Sequence, residues 1–510
     1  MKKFLDLFAV FLGTRRFFWI IIGIFLFSAT WISLSANYPE AFDENFHFGL
    51  IQVYSHYWLP FLTRQPPHAN AFGAVARDNS YLFHYLMSFP YRLTALFTSS
   101  QMIQVVVLRL IDVAMFAYGI FMFQKVLTRA GLSAGLTNMI LFVFVMIPIT
   151  PQLAGQINYD DLIFPCVAWV TYLGFDVIEG IKTKKIQIKS VLILLILSVF
   201  TSIVKYTFLP IFLGVSVYLI YLFMRRYKGD MLKGFKSLLI SWNRISRRSQ
   251  IVLGMLLIVS LGMFAQRYAI NLVEYHAISP NCSSVLSVKA CSAYSPWYYD
   301  YRTHLDLVKN HHKIAFDSPM TYLFQWIYWM WYRLYFAISG VTNRYQNFPP
   351  LPVVSGVSAL LFVSAAALLV FFWKQIFKNN HYLVFFIIIS LCYLAILWAA
   401  GYSEYHYTHV LQAMNGRYLL PVLILLGAVC AKGVALLFRQ NATLKAALSL
   451  VFIVLLLQGG GVLTFISRSN SSWYWHDQAV RDVNTFAQKI TKPVLIAGRV
   501  SYHTKLWVFN

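Results

Sequence analysis

Two adjacent carboxylates, Asp43 and Glu44, stand in the stretch Ala-Phe-Asp-Glu-Asn-Phe-His at residues 41–47, just past the first long apolar segment. A carboxylate placed at a membrane surface can take a proton from an attacking hydroxyl, and the same pair can also do no more than cap a short helix. A second acid pair, Asp160 and Asp161, opens another apolar segment and carries the same two readings, capping or substrate binding. Three cations complete the set. Lys205 interrupts an apolar run, where an ammonium costs roughly a few kcal/mol unless it snorkels to the headgroups or holds a partner such as a lipid-borne phosphate. Arg417, in Asn-Gly-Arg-Tyr-Leu-Leu-Pro, is either an interfacial anchor with Tyr418 or a bidentate phosphate ligand. Arg109 lies three residues before Asp112 on one helical face, a spacing that predicts mutual neutralisation.

A loop with Glu404, His406 and His409 offers metal-ligating atoms, but the Cys/His spacing of a structural zinc module is missing. A divalent metal therefore stays open as a cofactor, with no residue assigned to it. No phosphate-cradling glycine loop, Walker pattern or nucleophile elbow is present, which leaves nucleotide-driven transport without support.

The elements that must position these residues follow from composition. Hydrophobic residues make up 59% of the 510, charged residues 12%, and mean hydropathy is +0.61, which places the chain among polytopic membrane proteins and excludes a soluble enzyme. The net charge of +24 suggests nucleic acid at first sight. The Lys and Arg residues, however, crowd into short alternate loops, as the positive-inside rule demands, so the charge reads as topology and no nucleic-acid partner is expected.

Counting apolar segments of bilayer length gives an all-α polytopic fold of about eleven spans. The first covers residues 17–35, with Arg15 and Arg16 at its inner end. Others fall at 102–123, 136–149, 162–177, a tight hairpin within 190–224 that carries Lys205 at its outer tip, 251–266, 353–373, 382–400, 418–437 and 446–466. The most basic stretch, 225–248, is then an inner loop. Residues 1–466 form the transmembrane domain, with outer loops at 36–101 and 267–350, and 467–510 form a small outer polar tail. Interfacial helices are expected in the first outer loop, where His84, Pro90 and Arg92 break the apolar run, and along the aromatic run 326–335. Cys282 and Cys291, in the second loop, are placed to form a disulfide or to stay free. On this topology Asp43 and Glu44, Asp160 and Asp161, Lys205, the loop from Glu404 to His409, and Arg417 converge on one outer face.

With those residues in place, the chain resembles the GT-C superfamily of integral-membrane glycosyltransferases, which includes protein O-mannosyltransferases and lipid A aminoarabinose transferases. The resemblance rests on Asp43-Glu44, Asn-Ser-Tyr-Leu-Phe-His-Tyr at 79–85, Leu108-Arg109-Leu110, Asn-Tyr-Asp-Asp at 158–161, Lys205-Tyr206, and Gly416-Arg417-Tyr418 with Pro421. It implies transfer of a sugar from a polyprenyl-phosphate carrier to a glycan or lipid acceptor, at the outer face of the cytoplasmic membrane. Asp43 would be the catalytic base with Glu44 second. Lys205, Arg417 and Arg109 would hold the donor phosphate, and Asp160, Asp161, His47 and Tyr418 would line the substrate site. One base and one attacking face imply single displacement with inversion. The rival reading is a lipid-linked glycan flippase, which would line a central path with charges.

Overall fold

The computed structural model describes residues 2–309, 316–335, 338–341, 344–347, 352–412, 414–438 and 441–495. Its packed part is helical, and eight helices are long and apolar enough to cross a membrane: Arg15–Ser35, Gln101–Arg129, Asp160–Thr183, Tyr206–Arg226, Arg247–Tyr275, Gly356–Phe377, His381–Thr408 and Gly416–Leu437. The protein is a multi-pass membrane protein. Three shorter apolar helices, Ala134–Met146, Ile188–Val204 and Ala442–Leu456, stand at the remaining positions where crossings are expected. Among the described residues the all-helix expectation has one exception, a short antiparallel pair, Ile338–Val341 with Arg344–Asn347, in the second long loop.

Among these eight, Asp160–Thr183 is the most enclosed, with 72% of its most apolar stretch buried, whereas Arg247–Tyr275 and Gly356–Phe377 bury 17% each. The enclosed helix packs against Gln101–Arg129 through Gly119, where an added Cβ would meet the Phe164 ring at 2.4 Å. Phe164 stacks on Phe116 with centroids 4.1 Å apart and on Phe144 at 5.2 Å, and Phe116 stacks on Phe25 at 5.4 Å. Four helices are thus tied by one aromatic stack. Arg247–Tyr275 instead turns Ile251, Met255, Ile258 and Val259 outward, the surface expected against acyl chains.

One end of this bundle is basic. There the amphipathic helix Met231–Asn243 exposes Met231, Leu232, Phe235, Leu239 and Ile240 beside Lys233 and Lys236, the composition of a helix lying in the interface. At the opposite end, helices Glu44–Ser55 and Leu82–Ala95 pack on each other across the mouth of the bundle. The loop between them is pinned by Arg267, which donates to the carbonyls of Leu62 (3.2 Å) and Ala76 and lies over the Tyr81 ring at 4.6 Å. The helix carrying Arg267 runs on to Tyr275, past the boundary at 266 read from the sequence. Hydropathy ends the span early because it counts Arg267 as exposed, and the structure buries it fully.

The tail after 467 is less polar than its composition suggests. Trp473, Tyr474 and Trp475 are buried, and the segment pairs with the end of the first span through Asn37 N–H to Trp473 C=O (2.8 Å) and Trp475 N–H to Ser35 C=O (3.2 Å). The amphipathic helix Gln478–Val494 follows, held to the first span by Asn484, which accepts from Trp31 Nε1 (3.0 Å) and donates to Ser35 Oγ (3.0 Å). Residues 496–510 lie outside the described residues.

Cys282 and Cys291 form a disulfide, while Cys166, Cys392 and Cys430 are free thiols. A bridge there fits a loop in an oxidising compartment. Alkylation of the denatured protein by a mass-tagged maleimide is expected to add three tags before reduction and five after it, since the chain has 5 cysteines. Five tags without reductant would contradict the bridge.

Candidate functional site

The site is built around a backbone feature at the start of helix Glu44–Ser55. Phe42 (φ 63°) and Asp43 (φ 69°) both adopt the left-handed conformation, unfavourable for non-glycine residues. Asp43 occupies the cap position, yet its side chain makes no capping hydrogen bond. The capping reading is therefore set aside for Asp43. The turn instead presents its carboxylate, 49% exposed, to Arg417, whose Nη2 donates to Asp43 Oδ2 at 2.9 Å. Arg417 also donates to the Phe42 carbonyl (2.8 Å) and to Tyr418 Oη (3.2 Å), so one guanidinium holds both strained residues. Arg417 is placed by a short 3-10 turn, Gly416–Leu419, that packs under helix Pro319–Tyr332. Gly416 makes this approach possible: an added Cβ would come within 2.6 Å of the Leu334 backbone nitrogen.

Lys205 closes helix Ile188–Val204 and turns into the same cleft. Its Nζ lies 2.6 Å from Asp160 Oδ1, over the Tyr159 ring at 4.3 Å and over the Tyr418 ring at 5.2 Å. Arg417 Cζ is 5.0 Å from the same Tyr418 ring. The two cations therefore approach one tyrosine, with Asp43 beyond Arg417 and Asp160 beyond Lys205. Two buried polar atoms without a hydrogen-bond partner among the described residues lie here, Arg417 Nε and Asp160 Oδ2, whereas the unpartnered oxygens of the fully buried Asp161 neighbour those of Asp112. Such atoms are uncommon in native interiors and are expected where a polar ligand completes the set.

Glu44 and Arg109 face away from this cleft. Arg109 Nε and Nη2 each donate to Glu44 at 2.7 Å, both side chains are fully buried, and Glu44 also accepts from the backbone N–H of Glu40 (2.7 Å) and Ile157 (3.1 Å). Arg109 spends its remaining donors on the carbonyls of Ser33 (3.2 Å), Ala36 (2.6 Å) and Asn37 (3.2 Å), under Trp475. This corrects the expected Arg109–Asp112 pair. A fork-to-fork contact with Glu44 outcompetes an i,i+3 pair whose geometry allows only one oblique bond. Asp112 is fully buried and forms no ion pair among the described residues.

His47, one helical turn after Asp43, accepts or donates through Nδ1 to His84 Nε2 at 2.9 Å and meets the Tyr159 ring edge-on at 4.4 Å. Burial, His84 and the nearby Arg417 and Lys205 charges hold the His47 pKa well below its usual value, and burial lowers His84 to about 3. The pair is neutral, so His47 offers a hydrogen bond and no charge.

Reading the acids in pairs missed Glu40, four residues before Glu44. It is fully buried, accepts from Gln152 Nε2 (3.2 Å), and has its pKa pushed up to about 8 chiefly by burial, with Arg109 opposing and Glu44 adding to the shift. The signal was available as three acids within residues 40–44. Below pH 8 the folded state holds this proton and the unfolded chain, with a pKa of 4.5, releases it earlier. Stability from this group is therefore full at low pH and falls as the pH rises from 4.5 to 8. Glu40→Gln is expected to remove that dependence, leaving the melting temperature close to wild type at pH 5 and higher than wild type at pH 8.5. Parallel melting curves at both pH values would contradict it.

No group of three or more His, Cys, Asp or Glu side chains that could hold a metal ion is found among the described residues. Glu404 and His406 lie in the last turns of His381–Thr408 and His409 follows as its left-handed C-cap; His406 stacks on Phe316 at 4.7 Å and His409 meets its edge at 5.0 Å. The chain matches no protein-family model and no curated protein.

Proposed function

We propose that this protein transfers a sugar from a polyprenyl-phosphate carrier to a hydroxyl of a glycan or lipid acceptor, as the resemblance to GT-C glycosyltransferases suggests. One observation carries the reading. Lys205 and Arg417, distant in sequence, flank Tyr418 in a single cleft whose rim holds the half-exposed carboxylate of Asp43. A cleft with paired cations and a reachable base suits a reaction in which a phosphate leaves as a hydroxyl attacks.

In that reaction the acceptor oxygen bonds to the anomeric carbon and its proton passes to Asp43. The bond from the anomeric carbon to phosphate oxygen breaks, and the electron pair leaves with the polyprenyl phosphate. Lys205 and Arg417 stabilise the charge that gathers on the leaving phosphate. Asp160 holds Lys205 in place until the donor arrives, while Asp161, His47 and Tyr418 line the sugar side. Glu44 and Arg109 act as positioning residues behind the strained turn. The flippase alternative calls for charges along a central path; here the paired cations sit where helix ends meet loops.

The topology completes the proposal. The three shorter apolar helices make eleven crossings with the eight long ones, the basic end faces the cytoplasm, and the cleft faces outward across the cytoplasmic membrane. A single base on one face requires inversion at the anomeric carbon. Purified protein supplied with anomerically defined polyprenyl-phosphate hexoses and pentoses is expected to give a product of opposite configuration by NMR. A retained configuration would contradict single displacement, and no product from any such donor would contradict the transferase reading.

A further inference from the structure

The basic end of the bundle contains a cavity that the proposed reaction does not use. Its volume is about 410 Å³, and it lies where the ends of Gln101–Arg129, Asp160–Thr183 and Pro352–Phe377 meet the start of His381–Thr408 and the flank of Leu420–Leu437. Arg129, Lys182, Lys378 and Lys432 reach it from four different helices or their ends. Arg129 is already neutralised, by Asp176 at 2.6 Å and Glu179 at 3.0 Å. The three lysines form no ion pair among the described residues.

Exposed lysines at this end need no explanation beyond topology, but Lys432 does. It sits inside an apolar helix, partly buried, where a cation is costly unless it reaches water or a counter-charge. The turn into His381–Thr408 adds to the same field. Asn379 takes a left-handed conformation (φ 57°), Asn380 caps the helix by accepting from the Leu383 N–H at 3.1 Å, and the positive end of a 28-residue helix opens on the cavity.

We propose that this cavity binds a phosphate group, carried by the headgroup of an anionic phospholipid in the leaflet at that end. Three lysines, of which Lys182 also lies in the field of the Glu179 carboxylate, and a helix N-terminus favour an anion. The volume is far larger than a bare phosphate needs and falls in the range of organic-ligand pockets, and Ile376 and Leu436 supply an apolar wall on which glycerol and the first acyl carbons can rest. The site is independent of the sugar-transfer reading and lies at the other end of the molecule.

The test uses the full-length protein in nanodiscs of phosphatidylcholine with or without phosphatidylglycerol, followed by native mass spectrometry of retained lipid. Wild type is expected to retain phosphatidylglycerol in preference to phosphatidylcholine. At about a fivefold gain per basic side chain, combining Lys182→Ala, Lys378→Ala and Lys432→Ala should weaken retention on the order of a hundredfold, and the three Lys→Arg changes should restore it. If the triple alanine variant does not fold, each single alanine variant should lose about fivefold. Displacement of phosphatidylglycerol by excess inorganic phosphate that itself stays bound would support the phosphate site and assign it to free phosphate. Equal retention of phosphatidylcholine by wild type, or undiminished phosphatidylglycerol in folded alanine variants, would overturn the proposal.

Discussion

Asp43→Asn is expected to lower sugar transfer by about 10²- to 10⁴-fold, the usual contribution of a general base, while leaving the protein folded. The two halves of that statement come from different features. The loss follows from removing the one half-exposed carboxylate in contact with Arg417. The intact fold follows from exposure and from chemistry: Asp43 is 49% exposed, and an asparagine oxygen can still accept the 2.9 Å hydrogen bond from Arg417 that holds the strained turn. Comparing initial rates at matched protein levels, with melting temperatures as a control, separates the two. Undiminished transfer by a folded Asp43→Asn protein would move the base role to Asp160, the next carboxylate in the cleft.

The largest stability effect should come from its neighbour in sequence. Glu44→Ala and Arg109→Ala each leave an uncompensated charge in a fully buried site, a defect that costs about 3–5 kcal/mol. Domains are commonly stable by only about 5–15 kcal/mol, so poor accumulation in membranes and a large drop in melting temperature are expected. The two changes should be strongly non-additive, because removing either partner already forfeits the pair. Arg109 should be the worse loss, since it also serves the carbonyls of Ser33, Ala36 and Asn37 and thereby fixes the exit of the first span. A Glu44→Ala protein that melts like wild type yet transfers no sugar would show that Glu44 does chemistry and not positioning.

Adjacent residues with the same charge thus part ways, and the reason shows what a sequence can carry. Apolar length and loop charge made the membrane class legible, and the interruption of an apolar run by Lys205 singled out a cation that the structure indeed draws into the cleft with Arg417. Those are one-dimensional signals. The division of labour between Asp43 and Glu44 is not, because it depends on two successive left-handed residues that turn one carboxylate outward and the next inward to Arg109. Arg109 pairs with Asp112 on sequence grounds because helical spacing is visible in a sequence and a partner 65 positions away is not. Arg267 reads as a loop residue for the same reason, since the carbonyls that accept its hydrogen bonds belong to another loop. The packing of the tail was hidden too: Trp473 and Trp475 look like interfacial aromatics until the strand-like contact with residues 35–37 buries them.

The central claim is that the cleft breaks a sugar–phosphate bond, and it is tested most directly in liposomes. Protein is reconstituted with a polyprenyl-phosphate sugar labelled in both the sugar and the lipid, and a hydroxyl acceptor is supplied in the compartment facing the cleft. The account predicts that the two labels separate, sugar into the acceptor and polyprenyl phosphate staying in the bilayer, and that Asp43→Asn abolishes the separation. Movement of the doubly labelled lipid across the bilayer with no separation would contradict it and favour a flippase.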